Sequence, residues 1–329
     1  MATPQARSGA SLLALADQCV QCGLCLPHCP TYRLDACESE SPRGRIAYIK
    51  AVAGGELAAT AAGDLHLDHC LGCLRCETVC PARVQYGALL AGARASQFDR
   101  EPPGPAVHWR LWLLARPRWL AAALDLYRHV FPLLPPSLRP LPRPPQPAKP
   151  AQPMATVDSP SVGSAPVAVF IGCIAGRYEA GTRLGLLRLL AAAGVAASLP
   201  ARQGCCGTAA AYAGDVAAAD ALATSNRAAF IGAERVLCLA SGCRQTLADS
   251  LSGVAEVEDA LAFLAGRGDR LRFRSAQGRR VALHLPCSQL ASAGSEAALR
   301  RLLARVPDLD LLELPDTGCC GAAGLHMAA

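Results

Sequence analysis

Two stretches of the 329-residue chain carry residues whose type and spacing can do chemistry: CVQCGLCLPHCP from Cys19 to Pro30, and CLGCLRCETVCP from Cys70 to Pro81. Each reads CxxCxxCxxxCP, the run in which three cysteines hold one [4Fe–4S] cluster and the fourth reaches a second. On that pattern Cys19, Cys22, Cys25 and Cys80 carry one cluster, while Cys70, Cys73, Cys76 and Cys29 carry the other. Neither run completes a site alone. The two-residue steps let three thiolates converge on one face of a cube, which a regular helix or strand does not permit. Zinc also binds paired CxxC units. It leaves unexplained a third cysteine at the same step, a fourth after three residues and a following proline, all present twice. The chemistry expected is one-electron transfer.

The elements that must position these thiols follow from the neighbouring residues. Gly23 and Gly72 lie inside the loops, where a backbone without Cβ can curl. Pro30 and Pro81 fix φ and bias Cys29 and Cys80 towards extended backbone, so the chain leaves each site in a set direction. Ala10 to Ala16 reads as a short helix delivering the first run. Between the runs, SPRGR (Ser41 to Arg45) opens a helix over IAYIKAVAGG, with proline near its start and glycines at its end. Arg43 and Arg45 are either donors near cluster sulfurs, which would raise the reduction potential, or surface ion pairs. Cys37 lies outside both runs and reads as a spare thiol.

Composition excludes several classes of function. A chain of this length with 52% hydrophobic residues can bury the cores of two or three domains. Seventeen cysteines suggest disulfides in a secreted protein, but thiolates available for iron require a reducing compartment. SLLALA is short for a signal peptide, and Asp17 interrupts it; Leu184 to Pro200 contains Arg188 and is too short to span a bilayer. A cytoplasmic location is expected. The net charge of +6 is modest, and its densest basic stretch, Arg270 to Arg280, reads as a solvated loop before a strand. Without an aromatic platform or a helix-turn-helix pattern, no nucleic-acid partner is expected. No GxGxxG follows a strand, which places any flavin or nicotinamide on another chain.

His108 to Phe131 holds all three tryptophans, Trp109, Trp112 and Trp119, on two short helices broken at Pro117. This aromatic, basic stretch is suited to rest on a membrane surface, to dock a partner subunit, or to pack back onto the N-terminal domain. Twelve of the 25 prolines then fall between Pro132 and Pro166, the composition of a semi-rigid linker. Beyond it the chain repeats itself. VAVFIGC ends at Cys173 and VALHLPC at Cys287, and GCCG places cysteines at 205 and 206 and again at 319 and 320, every pair 114 residues apart. Each unit reads as a buried strand, a Leu- and Ala-rich helix (182–193; 296–305), a second strand (VAASLP; LDLLEL) and a cysteine pair flanked by glycines. Alternating strands and helices predict parallel α/β units with cysteines at the strand ends, where such sheets place ligands. VLCLASGC adds Cys238 and Cys243 to the first unit, and its counterpart in the second would fall beyond Ala329. Cys173, Cys205, Cys206 and Cys243 are therefore candidates for a full metal or redox site. Cys287, Cys319 and Cys320 offer three ligands, with His284 and His326 as further candidates.

As a set, CVQCGLCLPHCPTY, SPRGRI, LDHCLGCLRCETVCP, FIGC, GCCG, ASGC, HLPC and GCCGAAG resemble the iron-sulfur subunit of glycolate oxidase and its relatives. The resemblance covers the chain except the linker. It implies an α-helical two-cluster ferredoxin-type domain (1–100), the Trp-rich helical segment (101–131) and the Pro-rich linker (132–166). A duplicated α/β cysteine-rich (CCG) domain follows, with its first repeat at 167–265 and the second, C-terminally incomplete, at 266–329. It further implies an electron-transfer subunit with two [4Fe–4S] clusters. A partner subunit carries FAD and oxidises a 2-hydroxy acid such as glycolate or lactate, and electrons pass to the quinone pool, with peripheral association at the inner face of the cytoplasmic membrane. Heterodisulfide reductase subunits and the iron-sulfur subunit of anaerobic glycerol-3-phosphate dehydrogenase are similar too. Those reductases suggest an alternative, a thiol or disulfide oxidoreductase using a third iron-sulfur centre in the CCG domain. Their closing CxxC is absent here, because Arg244, Gln245 and Thr246 follow Cys243.

Overall fold

The computed structural model describes residues 8–139, 141–146, 167–290, 292 and 294–314. The chain divides into two compact units, one built on the residues up to Val107 together with 209–219, the other on 108–208 and 220–315.

The first unit is helical. Ser8 caps α1 (Gly9–Ala16) by accepting from the Ser11 N–H, and the helix turns Leu12 and Ala16 inward. Helix α2 (Pro30–Asp35) starts on the proline after Cys29, whose φ of −83° and ψ of 119° are the extended geometry a residue before proline adopts. Ser41 caps α3 (Pro42–Ala53), accepting from the Gly44 N–H at 2.9 Å, with Pro42 in the first turn. Glycine is required at 44, since a Cβ there would overlap the Glu38 carbonyl oxygen. Helices α4 (Ala61–Asp68), α5 (Arg75–Thr78) and α6 (Tyr86–Arg100) complete the unit. Leu12, Ile46, Ile49, Leu67, Leu89 and Leu90 form a core that includes Cys70 and Cys76, so the ligands of the candidate site are anchored in packed apolar surface.

A buried charge network joins these helices. Arg45 is 1% exposed. It donates to the Glu40 carboxylate at 2.5 Å, to the Glu40 carbonyl at 2.6 Å, to the Thr31 hydroxyl at 3.1 Å and to the His66 carbonyl at 2.6 Å. The other Glu40 oxygen meets His66 Nδ1 at 2.6 Å and His69 Nδ1 at 2.7 Å. Burial opposes ionisation of Glu40, but the two histidines and then Arg45 hold its carboxyl below the ordinary range. Arg43 instead pairs with Glu38 at 2.6 Å at the surface and donates to the Gln21 carbonyl of the first cysteine loop at 3.3 Å.

The second unit opens with α7 (Pro105–Leu114) and α8 (Pro117–Val130), where Pro117 takes the first position of α8 as the break in the sequence predicts. Its α/β part runs β1 (Val167–Phe170), α9 (Ala175–Tyr178), α10 (Ala180–Ala192), the part of α12 (Val216–Ala229) from Asp220 on, β2 (Arg235–Cys238), α13 (Ser241–Leu251), β3 (Glu256–Asp259) and α14 (Ala260–Ala265), while α11 (Thr208–Tyr212) from Ala209 on and the first turn of α12 belong to the first unit. It continues through β4 (Arg280–Leu283), α15 (Cys287–Leu290), α16 (Ser295–Leu303) and β5 (Asp310–Glu313). Strands β1, β2 and β3 form one parallel sheet in that order, and β4 pairs with β5 in a second, also parallel. Val167, Val169 and Leu237 face a core with Leu186, Leu190 and Phe263, while Ala168, Phe170, Val236 and Cys238 face another with Phe230, Leu247 and Leu251. Because both faces are covered, these strands read as unbroken apolar runs.

The strand expected at VAASLP is reduced to a single parallel bridge between Ala168 and Ser198. Its ladder bonds are Ser198 N–H to Val167 O and Val169 N–H to Ser198 O, both 2.9 Å. The next donor in that pattern belongs to Pro200, which has none. The Gln203 side chain takes its place, donating to the Val169 carbonyl at 3.1 Å and accepting from the Ile171 N–H at 2.6 Å. The chain is thereby fixed one residue before Gly204.

Replacing Arg45 by alanine strands the Glu40 carboxylate in the core and is expected to cost about 3–5 kcal/mol. A depressed first unfolding transition in calorimetry of the anaerobic protein checks this, and Arg43→Ala, at the surface, is expected to leave that transition nearly unchanged.

Candidate metal centres

Both cysteine runs fold through the same backbone curl. Left-handed φ occurs two and four residues after the first cysteine of each: Gln21 at 56° and Gly23 at 82°, then Gly72 at 60° and Leu74 at 55°. The expected glycine freedom is used in each loop, at the later position in one and the earlier in the other. The remaining two positions hold side chains in a conformation costing about 1–2 kcal/mol, which the surrounding packing must supply. Tyr212 steadies the second loop within its unit, donating its hydroxyl to the Gly72 carbonyl at 2.8 Å.

The thiols gather in two groups. Burial and the nearby sulfurs of Cys19, Cys22 and Cys80 raise the Cys25 thiol. Burial and the sulfurs of Cys70, Cys73 and Cys29, with Cys25 of the first group, raise Cys76. Cys29, Cys70 and Cys76 are buried, whereas Cys22 is exposed. A cavity of about 450 Å³, counted to its open mouth, is lined by Cys19, Cys22, Cys25 and Cys80 together with Cys76, Arg43 and Tyr86. Four thiolates bound to one tetrahedral zinc at about 2.3 Å are about 3.8 Å apart. Among the described residues, no three cysteine sulfurs lie within 4.8 Å of one another. Thiols that repel one another when ionised fit a group that brings several cations. Glu40, His66 and His69 also bring ligand atoms within 4.8 Å of one another, but Arg45 already neutralises that carboxylate.

Two residues beside the thiols, Tyr86 and Thr31, are not among the candidates the sequence offers. Tyr86, 3% exposed, places its hydroxyl 3.4 Å from Cys70 Sγ and also lines the cavity around the first group. Burial raises its phenol well above the ordinary value, so it remains a donor. Thr31 Oγ1 lies 3.2 Å from Cys29 Sγ and receives Arg45, linking the second group to the buried charge network.

The second unit brings together Cys173, Cys205, Cys206 and Cys243, which form one chain of thiol hydrogen bonds. Hydrogen bonds from Cys205, Cys243 and Thr208 hold the Cys206 thiol down at about 3 against burial, while Cys205 and Cys243 keep their protons. Cys206 Sγ is 3.1 Å from Thr208 Oγ1, and the Asn226 amide donates to the Cys205 carbonyl at 2.8 Å. Cys238 ends β2, fully buried, and Cys243 lies in the first turn of α13, so strand ends do supply the thiols. Cys287 opens α15 after β4, and His284 is exposed. Cys319, Cys320 and His326 lie outside the described residues.

The chain matches the 4Fe-4S dicluster domain over residues 15–84 and the cysteine-rich domain over 167–248 and 281–329. It is 30% identical to the glycolate oxidase iron-sulfur subunit of Escherichia coli (strain K12), over 94% of this chain and 79% of that protein. The chain belongs to the glycolate oxidase iron-sulfur subunit family. A probable glycolate oxidase iron-sulfur subunit of Bacillus subtilis (strain 168) is 34% identical over 68% of this chain, which spans 56% of that relative's length. One of the subunits of a fumarate reductase (CoM/CoB) from Methanothermobacter marburgensis is 26% identical over 93% of this chain and 58% of its own. No solved structure matches. The N-terminal domain is thus an iron-sulfur domain.

A hydrogen bond to a ligand sulfur raises the reduction potential of its cluster. Tyr86→Phe is accordingly expected to lower the potential of one centre and leave iron content unchanged, as read by potentiometric titration with electron paramagnetic resonance.

Proposed function

We propose that this chain is the electron-transfer subunit of a complex in which a flavin-bearing partner oxidises a 2-hydroxy acid of the glycolate or lactate class, with a quinone as acceptor. The observation that carries this reading is the interlocking of the two runs, in which Cys80 neighbours Cys25 and Cys29 neighbours Cys76. We assign Cys19, Cys22, Cys25 and Cys80 to one [4Fe–4S] cluster and Cys70, Cys73, Cys76 and Cys29 to a second. Such clusters, when bound, supply reversible one-electron transfer. The chain's own part is to hold them in fixed relation through the curled loops, to exclude water with Ile46, Leu67 and Leu89, and to aim the Tyr86 hydroxyl at the Cys70 sulfur. The family membership and the relatives' names support a flavoprotein partner, and the demand for free thiolates supports a cytoplasmic location. No helix among the described residues is long and apolar enough to cross a membrane, which accords with peripheral contact at the inner face.

The linked thiols of Cys173, Cys205, Cys206 and Cys243 support a second element of the proposal, a further metal or redox centre in the cysteine-rich domain. Disulfide reduction there is the competing reading, favoured by the low thiol of Cys206.

Anaerobic co-expression with a flavoprotein subunit tests the relay. Glycolate or lactate is expected to bleach the visible absorbance of this chain only when the flavoprotein is present. Reduction of a disulfide by this chain alone, supplied with a chemical electron donor, would favour the competing reading. Cys80→Ser is expected to lower iron by about four per chain, because it opens the first cluster while leaving Cys70, Cys73, Cys76 and Cys29 intact.

A further inference from the structure

The second unit presents an apolar, tryptophan-bearing face that its own core does not use. On α8 the inward side holds Leu120 and Leu124, while Trp119 and Leu126 are 63% and 65% exposed. Trp119, Ala122 and Leu126, spaced by three and four residues, form one outward stripe with Ala122 exposed between the larger side chains. The stripe continues onto α7. Trp112 packs against Trp119 with ring centroids 6.3 Å apart, and Trp109, one turn earlier on the same side, is 59% exposed. Leu111 takes the buried side of that helix.

The border of the stripe is positive. Arg110, Arg116 and Arg118 are exposed. The guanidinium of Arg116 lies 4.2 Å over the Trp112 ring and donates to the Trp112 carbonyl at 3.1 Å, so charge and aromatic surface are held as one piece. The single carboxylate between His108 and Phe131 is Asp125, and Arg177 engages it. Nothing acidic on these helices offsets the three arginines.

We propose that this face rests on the surface of an anionic lipid bilayer, with Trp109, Trp119 and Leu126 entering the headgroup boundary and Arg110, Arg116 and Arg118 meeting lipid phosphates. A helix of 14 residues is about 21 Å long, too short to span a bilayer and suited to lie in its plane. Tryptophan is favoured at that depth because its ring is apolar and its N–H polar. Tryptophan and arginine occur at protein interfaces too, but here the bordering charges are of one sign, and the one carboxylate of the segment is engaged by Arg177, which matches a surface of uniform negative sign. The inference extends the proposed function by naming the contact through which a lipid-dissolved acceptor is reached. Lipid binding does not itself require electron transfer, so the two can fail separately.

All three tryptophans of the chain lie in this segment, so intrinsic fluorescence reports on the face without a variant. Full-length protein purified anaerobically is mixed with vesicles of phosphatidylcholine and phosphatidylglycerol in equal amounts, or of phosphatidylcholine alone, and floated. Co-flotation with the mixed vesicles, quenching of tryptophan by brominated acyl chains and release by high salt are the expected results. Trp119→Ser with Leu126→Ser, and separately the replacement of Arg110, Arg116 and Arg118 by glutamine, are each expected to weaken binding about tenfold or more at unchanged iron content. Absence of flotation by the unaltered chain at low salt, absence of bromolipid quenching, or binding that survives both sets of substitutions would overturn the proposal. Loss of vesicle binding on forming the complex with the flavoprotein would also overturn it, by giving the face to a protein partner.

Discussion

Thiolates repel one another, and the first unit places eight of them in two adjoining groups. Everything else in that unit serves this requirement. Left-handed residues at matched positions turn the loops inward, the prolines after Cys29 and Cys80 carry the chain away, and Cys70 and Cys76 are rooted in the apolar core. The last cysteine of each run lies beside the other run, Cys80 near Cys25 and Cys29 near Cys76. The Arg45–Glu40 pair, with His66 and His69, ties together the segments that lead into α3 and out of α4. A buried ion pair contributes little net stability but is costly to break, so it acts to fix where those segments lie.

The second unit solves a smaller version of the same problem with a parallel sheet. Cys173 follows β1, Cys205 and Cys206 follow the single-residue bridge at Ser198, and Cys243 follows β2. Three parallel segments thus end at one edge and deliver four thiols to one chain of hydrogen bonds. Gln203 is the detail on which this depends, because its amide stands in for the N–H that Pro200 lacks and sets the entry to the cysteine pair.

Much of this was legible in the residues. Cysteine spacing pointed to the iron-sulfur domain because geometry around iron allows few spacings, and the capping serine with proline and glycine marked α3 because those residues act locally. The repeat of 114 residues exposed the two α/β units, since unbroken apolar strands alternated with helical stretches. What was hidden depends on partners distant in the chain. Arg45 reads in the sequence as a donor near cluster sulfurs or a surface ion pair, and its partners at Glu40 and His66 place it in the core instead. Tyr86 has no sequence cue for its position against Cys70. VAASLP has the composition of a strand, yet the ladder ends at Pro200, and only the position of Gln203 shows how the edge is completed.

Quantification of iron, acid-labile sulfide and zinc in protein kept from oxygen throughout, with electron paramagnetic resonance of the reduced state, tests the crossed arrangement of the two runs most directly. With Cys205 and Cys206 replaced by serine to silence the second unit, about eight irons and eight sulfides per chain, giving two magnetically coupled cubane signals, are predicted. Stoichiometric zinc without sulfide would contradict an electron-transfer role for these cysteines. About four irons with a single uncoupled signal would contradict the interlocking of the runs.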